Sequence, residues 1–426
     1  MKTAPKFISA ILGLALLAAT GVLKAYPLDG YEETGIRRVE GARLANEGLA
    51  KGGFQPPGAL LTTDQVDLRL LHNRMDLPPV DPAFTAQIVA LLGQNADRYG
   101  IAVLDLTDPE NPSYAEHRAD FRQNVGSVGK LLAALGLFQA LADTWPDDVD
   151  RRESILRDTV ITADDFSHSD HHTVRFFDVA TRELVRRRLA DGDQGSLWEY
   201  LDWMLSVSSN SAAAMVMRDA MLLRHFGRNY PVSEEQISAF FSTTPKKELT
   251  EIFQETFWDP VTRNGLPLDR IRQGSFFTRQ GKANVSGGGN SYATARTLMA
   301  LLLKMEQGEL VDEWSSRQLK RLLYMTERRI RYASSPALAE AAVYFKSGSL
   351  YKCEPEEGFD CAPYHGNVMN YMNSVAIVEQ AIDGVKLQYM VVVISNVLRQ
   401  NSAVDHQTLG TRIHRLIERR HGVGSP

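Results

Sequence analysis

Ser127-Val128-Gly129-Lys130-Leu131-Leu132-Ala133-Ala134-Leu135-Gly136-Leu137-Phe138 joins a serine and a lysine one turn apart to a run that is apolar almost all round, continued by Ala140 and Leu141. A helix without a polar face belongs inside a core, so the run predicts a central helix with Ser127 at its N-terminus. Helix-start amides and the helix dipole favour negative charge developing there, which suits a nucleophile. Lys130 falls on the same face as Ser127. A lysine desolvated in such surroundings drops in pKa and can take the serine proton.

Two further motifs follow in order, Ser208-Ser209-Asn210 and Lys346-Ser347-Gly348. The serine-x-x-lysine pattern alone is weak, and a second copy stands at Ser349 and Lys352. Lys346, however, is the only lysine followed by Ser or Thr and then Gly. In combination the motifs supply a nucleophilic hydroxyl, a nearby lysine, a second hydroxyl with a carboxamide, and a second lysine beside a hydroxyl. These are the parts of a serine acyl-transfer enzyme.

With these motifs the chain resembles the penicillin-recognising serine hydrolases, the superfamily of class A β-lactamases and D,D-peptidases. The similarity extends to Tyr99–Leu106 as a first strand, Thr294–Met305 as a "TARDL"-type helix and Asn373–Glu379 as the strand after the third motif, and spans about residues 82 to 420. The resemblance implies an acyl-enzyme on Ser127, with Lys130 as base and Ser208 relaying a proton to the leaving group. It further implies that Asn210 binds the substrate amide, that Lys346 supplies positive potential, and that Ser347 holds a substrate carboxylate. The backbone N–H groups of Ser127 and Ser349 are then the expected oxyanion hole. Gly348 is expected to leave room for the acyl chain.

This sequence departs from the resemblance at two places. Ser209 stands where the family has Asp or Tyr. Class A β-lactamases also carry a Glu, with Asn four positions later, after the second motif, to position the hydrolytic water. No Glu-x-x-Leu-Asn occurs between Asn210 and Gly289. Glu248, Glu251 and Glu255 lie in the right stretch but read as an ordinary charged helix. Hydrolysis of a β-lactam is the activity expected first. The alternatives are a D,D-peptidase or esterase acting on peptidoglycan-like peptides or small esters, and a penicillin-binding sensor without efficient turnover.

Working outward, residues 26–80 are rich in Gly, Pro and charge, with Pro56-Pro57-Gly58 and Pro78-Pro79 as punctuation. They read as an extended N-terminal arm with one short helix near Arg37 to Leu49. Asp81-Pro82 opens a helix ending near Gly100, followed by a strand from Ile101 to Leu106 and a returning strand through Tyr114 and His117. Residues 145–335 read mostly as helices and loops, with Ser291 as a candidate N-cap after Gly287-Gly288-Gly289. The C-terminal part is β-like before a final helix carrying Leu409, Ile413, Leu416 and Ile417. The expected fold is therefore of the α/β (α+β) class. It has an antiparallel sheet flanked by helices and built from both chain ends, about 81–126 and 338–426, with an inserted all-helical lobe over about 127–337. The catalytic domain spans 81–426, and its site is expected in the cleft between the parts.

The chain has 426 residues, 44% of them apolar and 23% charged, which permits a large core and more than one lobe. A net charge of −5, with Lys and Arg dispersed, gives no reason to expect a nucleic-acid partner. The expected partner is a small-molecule or peptide substrate with a carboxylate, and no cofactor is called for.

Lys2 and Lys6 before the apolar stretch Phe7 to Ala19 read as a signal peptide over residues 1–25, cut after Gly21 or Ala25, giving a periplasmic or secreted protein. An uncleaved N-terminal anchor is the one membrane attachment considered. In an oxidising compartment Cys353 and Cys361 read as one disulfide. His168, Asp170, His171 and His172 are read as a solvated loop and not as metal ligands. Trp198 and Trp203 are read as packing residues.

Overall fold

The computed structural model describes residues 29–51, 55–327 and 329–424. Residues 1–25, read from the sequence as a signal peptide, lie outside them. Among the described residues no helix is long and apolar enough to cross a membrane.

Asp81 caps the helix Pro82–Leu92, its side chain accepting from the N–H groups of Ala83 and Phe84, while proline at the first position needs no N–H partner. Strands β1 (Tyr99–Asp105) and β2 (Ser113–His117) follow as an antiparallel pair. Within the helical lobe come β3 (Val160–Thr162), β4 (Val174–Phe177), β5 (Leu184–Arg187) and β6 (Gln194–Ser196). The last three strands are β7 (Ala342–Lys352), β8 (Met369–Ile382) and β9 (Val385–Asn396). The main sheet has the order β2-β1-β9-β8-β7, antiparallel throughout, with Val103 opposite Val391 and Ser347 opposite Ser374.

Side chains alternate across this sheet because strand residues point to opposite faces in turn. From β1, Ala102 and Leu104 face one core, and Ile101 and Val103 the other; β9 divides Val392 and Ile394 from Val391 and Val393 in the same way. The first core holds the helical lobe. The second is closed by the helices Pro82–Leu92 and Ser402–Arg420, through Phe84, Ile88, Ile413 and Ile417.

The run that follows Ser127 forms the helix Lys130–Thr144, buried from Lys130 to Leu141. Burying each leucine contributes about 1.5–3 kcal/mol, so this helix fixes the lobe's centre. Trp198 and Trp203 are packing residues, Trp203 lying 5.2 Å from Phe176 and 5.1 Å from Tyr200, centroid to centroid.

Three expectations need correction. The lobe is predominantly helical but carries two ribbons, β3 with β6 and β4 with β5. Strands of three or four residues are too short to show periodicity, and β5 is exposed along its whole length. Residues 29–80 are not merely an extended arm, since Ile36, Val39, Ala59, Val66 and Leu70 all enter the main core. Their apolar side chains insert singly and leave no repeat, while Arg38 in the helix Arg37–Asn46 pairs with the buried Asp202. Finally, Thr294 and not Ser291 caps the helix Ala295–Glu306, in a capping box with Thr297. Ser291 Oγ accepts instead from the Gly274 N–H, 2.9 Å away.

Candidate active site

Ser127 occupies a short 3-10 turn, Gly126–Gly129, that runs directly into the buried helix. Gly126 precedes it with φ of 54°, a left-handed conformation that glycine adopts at little cost. Ser208 also has positive φ, 67°, which is rare for a residue with a Cβ and holds its hydroxyl between the two lysines. Ser209 caps the helix Asn210–Phe226 by accepting from the Ala212 N–H.

These remote motifs meet at the lysine amines. Lys130 Nζ lies 3.0 Å from Ser127 Oγ, 2.8 Å from Asn210 Oδ1, 2.5 Å from the Ser208 carbonyl and 3.2 Å from Ser208 Oγ. The carbonyl and the Asn210 oxygen can only accept. A neutral amine gives its two N–H groups to them and keeps a lone pair for the Ser127 O–H. Burial pushes the Lys130 amine down to about 7, against the upward pull of the Asp170 charge, so the neutral form is well populated near neutrality. The Lys130 amine also stands 4.9 Å from the centre of the Phe277 ring.

Lys346 Nζ donates to Ser208 Oγ at 2.8 Å and to the Ser347 carbonyl at 2.8 Å. Burial first, then the charges of Lys130 and Arg331, push its amine well below the ordinary lysine range. Ser208 Oγ thus bridges both lysines. On β7, Ser347 Oγ accepts from Arg331 Nη1 at 2.7 Å and Ser349 Oγ from Arg331 Nη2 at 3.1 Å. Arg331, stacked 4.7 Å from the centre of the Tyr364 ring, is a site residue that sequence reasoning missed. Its position in the arginine-rich stretch Arg328-Arg329-Ile330-Arg331 was the available signal.

Gly348, which lines the cleft, also has a packing role that the sequence did not show. A Cβ there would stand 2.1 Å from the Val125 carbonyl and 2.6 Å from the Ser127 nitrogen. Glycine therefore lets β7 close onto the turn that carries Ser127, and so brings the Ser127 and Ser349 backbone nitrogens into one neighbourhood. The pair Cys353–Cys361 forms a disulfide just beyond β7, with Cα atoms 6.1 Å apart.

Asp170 is the second missed residue and corrects the solvated-loop reading of the histidine segment. His168 and His171 are exposed, but the Asp170 side chain is only 3% accessible and that of His172 24%. Asp170 Oδ2 accepts from Ser209 Oγ at 2.9 Å, the Asn210 N–H at 2.7 Å and the Ser211 N–H at 3.0 Å. Its Oδ1 accepts from the backbone N–H and from Nδ1–H of His172, at 3.1 and 2.6 Å. Burial works to raise this carboxyl, but the bonds from His172 and the Ser211 N–H overcome it and hold the group well below the usual carboxylate range. A carboxylate from another loop thus holds Ser209 and the start of the Asn210–Phe226 helix. Ligand atoms of Asp170, His171 and His172 lie within 4.8 Å of one another. Both Asp170 oxygens are already engaged by these donors, which is poor chemistry for a metal site.

The cleft around these groups has a volume of about 960 Å³. Among the described residues, no aspartate or glutamate lines it. Glu248, Glu251 and Glu255 sit exposed on the helix Lys246–Phe257, away from the cleft. The inward-facing groups of the region after the second motif instead include Gln273, Ser275, Phe276, Phe277 and Lys282.

A profile of the family described as "Beta-lactamase enzyme family" matches residues 83–363. Among solved structures, one titled "Structure of PBP-A" is 14% identical at a TM-score of 0.48, covering 81% of this chain and 100% of that one. The TLA-3 extended-spectrum beta-lactamase is 13% identical at a TM-score of 0.48, with 79% and 98% covered. A beta-lactamase from Chitinophaga pinensis is 14% identical at a TM-score of 0.44, with 80% and 98% covered. No curated protein matches the chain.

Proposed function

Because the chain belongs to the beta-lactamase enzyme family, we propose that it is an exported serine acyl-transfer hydrolase that forms an acyl-enzyme on Ser127. Its natural substrate is a peptide or ester bearing a carboxylate, and it releases β-lactams slowly. The observation that carries the acylation step is the set of contacts at Lys130, whose two obligate acceptors leave the amine lone pair for the Ser127 hydroxyl. The Ser127 oxygen attacks the carbonyl carbon while its proton passes to Lys130 Nζ. The oxyanion is met by the Ser127 and Ser349 backbone N–H groups, each worth about 3 to 4 kcal/mol in the transition state. Ser208, between the two lysines, hands a proton to the leaving nitrogen or oxygen as the scissile bond breaks. Ser347, Ser349 and Arg331 hold the substrate carboxylate through charge-assisted hydrogen bonds.

The lack of a carboxylate among the described lining residues shifts the balance from rapid β-lactam hydrolysis, the activity expected first from the motifs, towards the D,D-peptidase or esterase alternative. The Phe277 ring, 4.9 Å from Lys130 Nζ, lies in the same cleft. The Cys353–Cys361 disulfide supports an oxidising destination.

A fluorescent penicillin, followed by intact-mass spectrometry and peptide mapping, tests this function. One adduct on Ser127 that persists for many minutes and is absent from Ser127→Ala is the expected result. A label retained by Ser127→Ala, or no label on either protein, overturns the nucleophile assignment. Rapid release from Ser127 restores β-lactam hydrolysis as the activity.

A further inference from the structure

The protein carries a net charge of −5, yet the charged side chains lining its cleft are Arg186, Lys282, Arg331 and Lys346, with no acid among the described lining residues. Two of these cations stand on opposite walls. Arg331 is bound to the hydroxyls of Ser347 and Ser349 on β7. Arg186, on β5, belongs to the helical wall, where its Nε donates to Thr173 Oγ1 at 2.8 Å. Thr173 directly follows His172, which Asp170 ties to Ser209 and Asn210. The Arg279–Asn284 helix, which carries Lys282, is braced to the same wall by Gln280 and Asn284, both donating to Asp165.

The carboxylate assigned to Ser347, Ser349 and Arg331 accounts for the sheet wall only. On the helical wall the terminal nitrogens of Arg186 have no hydrogen-bond partner among the described residues. Glu327, whose carboxyl feels the Arg186 charge after those of Arg38, Arg175 and Asp202, is buried and already paired with Arg175 at 2.7 Å. His172 adds Nε2, likewise unpartnered among the described residues, at the cleft lining. A cleft walled by one sign of charge concentrates ligands of the other.

We propose that the substrate is at least a dianion, carrying a second anionic group on the acyl side of the scissile bond that docks against Arg186 on the Asp170–Thr173 wall. This inference rests on the acyl-enzyme chemistry of the preceding subsection and adds the charge class of its substrate. Asn210, which the family resemblance assigns to the substrate amide, is held at its Oδ1 by Lys130 and at its backbone N–H by Asp170. Arg186 is joined to that wall through Thr173, the neighbour of the His172 that Asp170 also holds, so the second anion is assigned to the acyl side chain and not to the leaving group.

Three penicillins with side chains of matched size test this: phenylacetyl (neutral), α-carboxyphenylacetyl (anionic) and phenylglycyl (cationic). Second-order acylation rate constants of Ser127 are expected to fall in the order anionic, neutral, cationic. The span is on the order of tenfold at low salt and shrinks in 0.5 M sodium chloride. Arg186→Gln should bring the anionic compound towards the neutral one, and Arg186→Glu should reverse the order. Equal rates, or preference for the cationic compound with Ser127 still labelled, overturn the dianion inference and leave the acyl-enzyme function standing. Failure of all three to label Ser127 overturns that function, and the inference falls with it.

Discussion

Replacing Gly348 by alanine separates close packing of β7 from room for substrate. The added Cβ would stand 2.1 Å from the Val125 carbonyl, 2.6 Å from the Ser127 nitrogen and 2.9 Å from the Val128 nitrogen, all backbone atoms with no rotamer to escape into. A carbon and an oxygen rest at about 3.3 Å or more, so β7 and the nucleophile turn must part by roughly 1 Å. The Ser127 and Ser349 N–H groups would then no longer point at one oxygen. Losing an oxyanion donor lowers the rate by about 10² to 10³, and forcing a methyl into a packed contact costs about 1–3 kcal/mol of stability. Stopped-flow acylation by a fluorescent penicillin, run beside urea denaturation, measures both. Ser349→Ala is the comparator, since it keeps its backbone N–H and removes only the hydroxyl that Arg331 contacts, and its acylation should fall far less. A Gly348→Ala protein that acylates within threefold of wild type would refute the packing explanation.

Three further outcomes are expected. Since Lys130 works as a neutral amine and burial holds it at about 7, the acylation rate constant should rise with pH through an inflection near 7 and level off above it, as rapid-mixing profiles from pH 5 to 9 would register. Asp170→Ala strips Ser209, Asn210, Ser211 and His172 of their common acceptor, and should lower urea stability by about 2–4 kcal/mol and slow acylation at least tenfold. The triple variant Glu248→Gln, Glu251→Gln, Glu255→Gln should release a bound penicillin at the wild-type rate in a chase experiment, because these side chains are exposed on the helix Lys246–Phe257.

The sequence made legible whatever rests on local pattern. Unbroken apolar character marked the Lys130–Thr144 helix, and the strands of the main sheet stood out because both their faces are buried. Groups that act through distant partners were hidden. Asp170 sits among histidines on an irregular polar segment, and only folding brings it to the N-terminus of the Asn210–Phe226 helix. The serine at 209, where the resemblance has Asp or Tyr, was the one hint of a change in the groups around this helix start. Arg331 leaves no periodic trace because it stands in a 3-10 turn with φ of 53°. Gly348 was recognised as part of a motif, but the atoms that forbid a side chain there, in Val125 and Ser127, lie more than two hundred residues earlier.

The strand order carries a consequence for biosynthesis. A nascent chain that has emerged only as far as Gly348 possesses both lysines and both key hydroxyls, yet β7 is joined to β1 solely through β8 and β9. Polypeptides that end before β8 leave β7 without its only neighbour in the sheet, and they should therefore react poorly at Ser127.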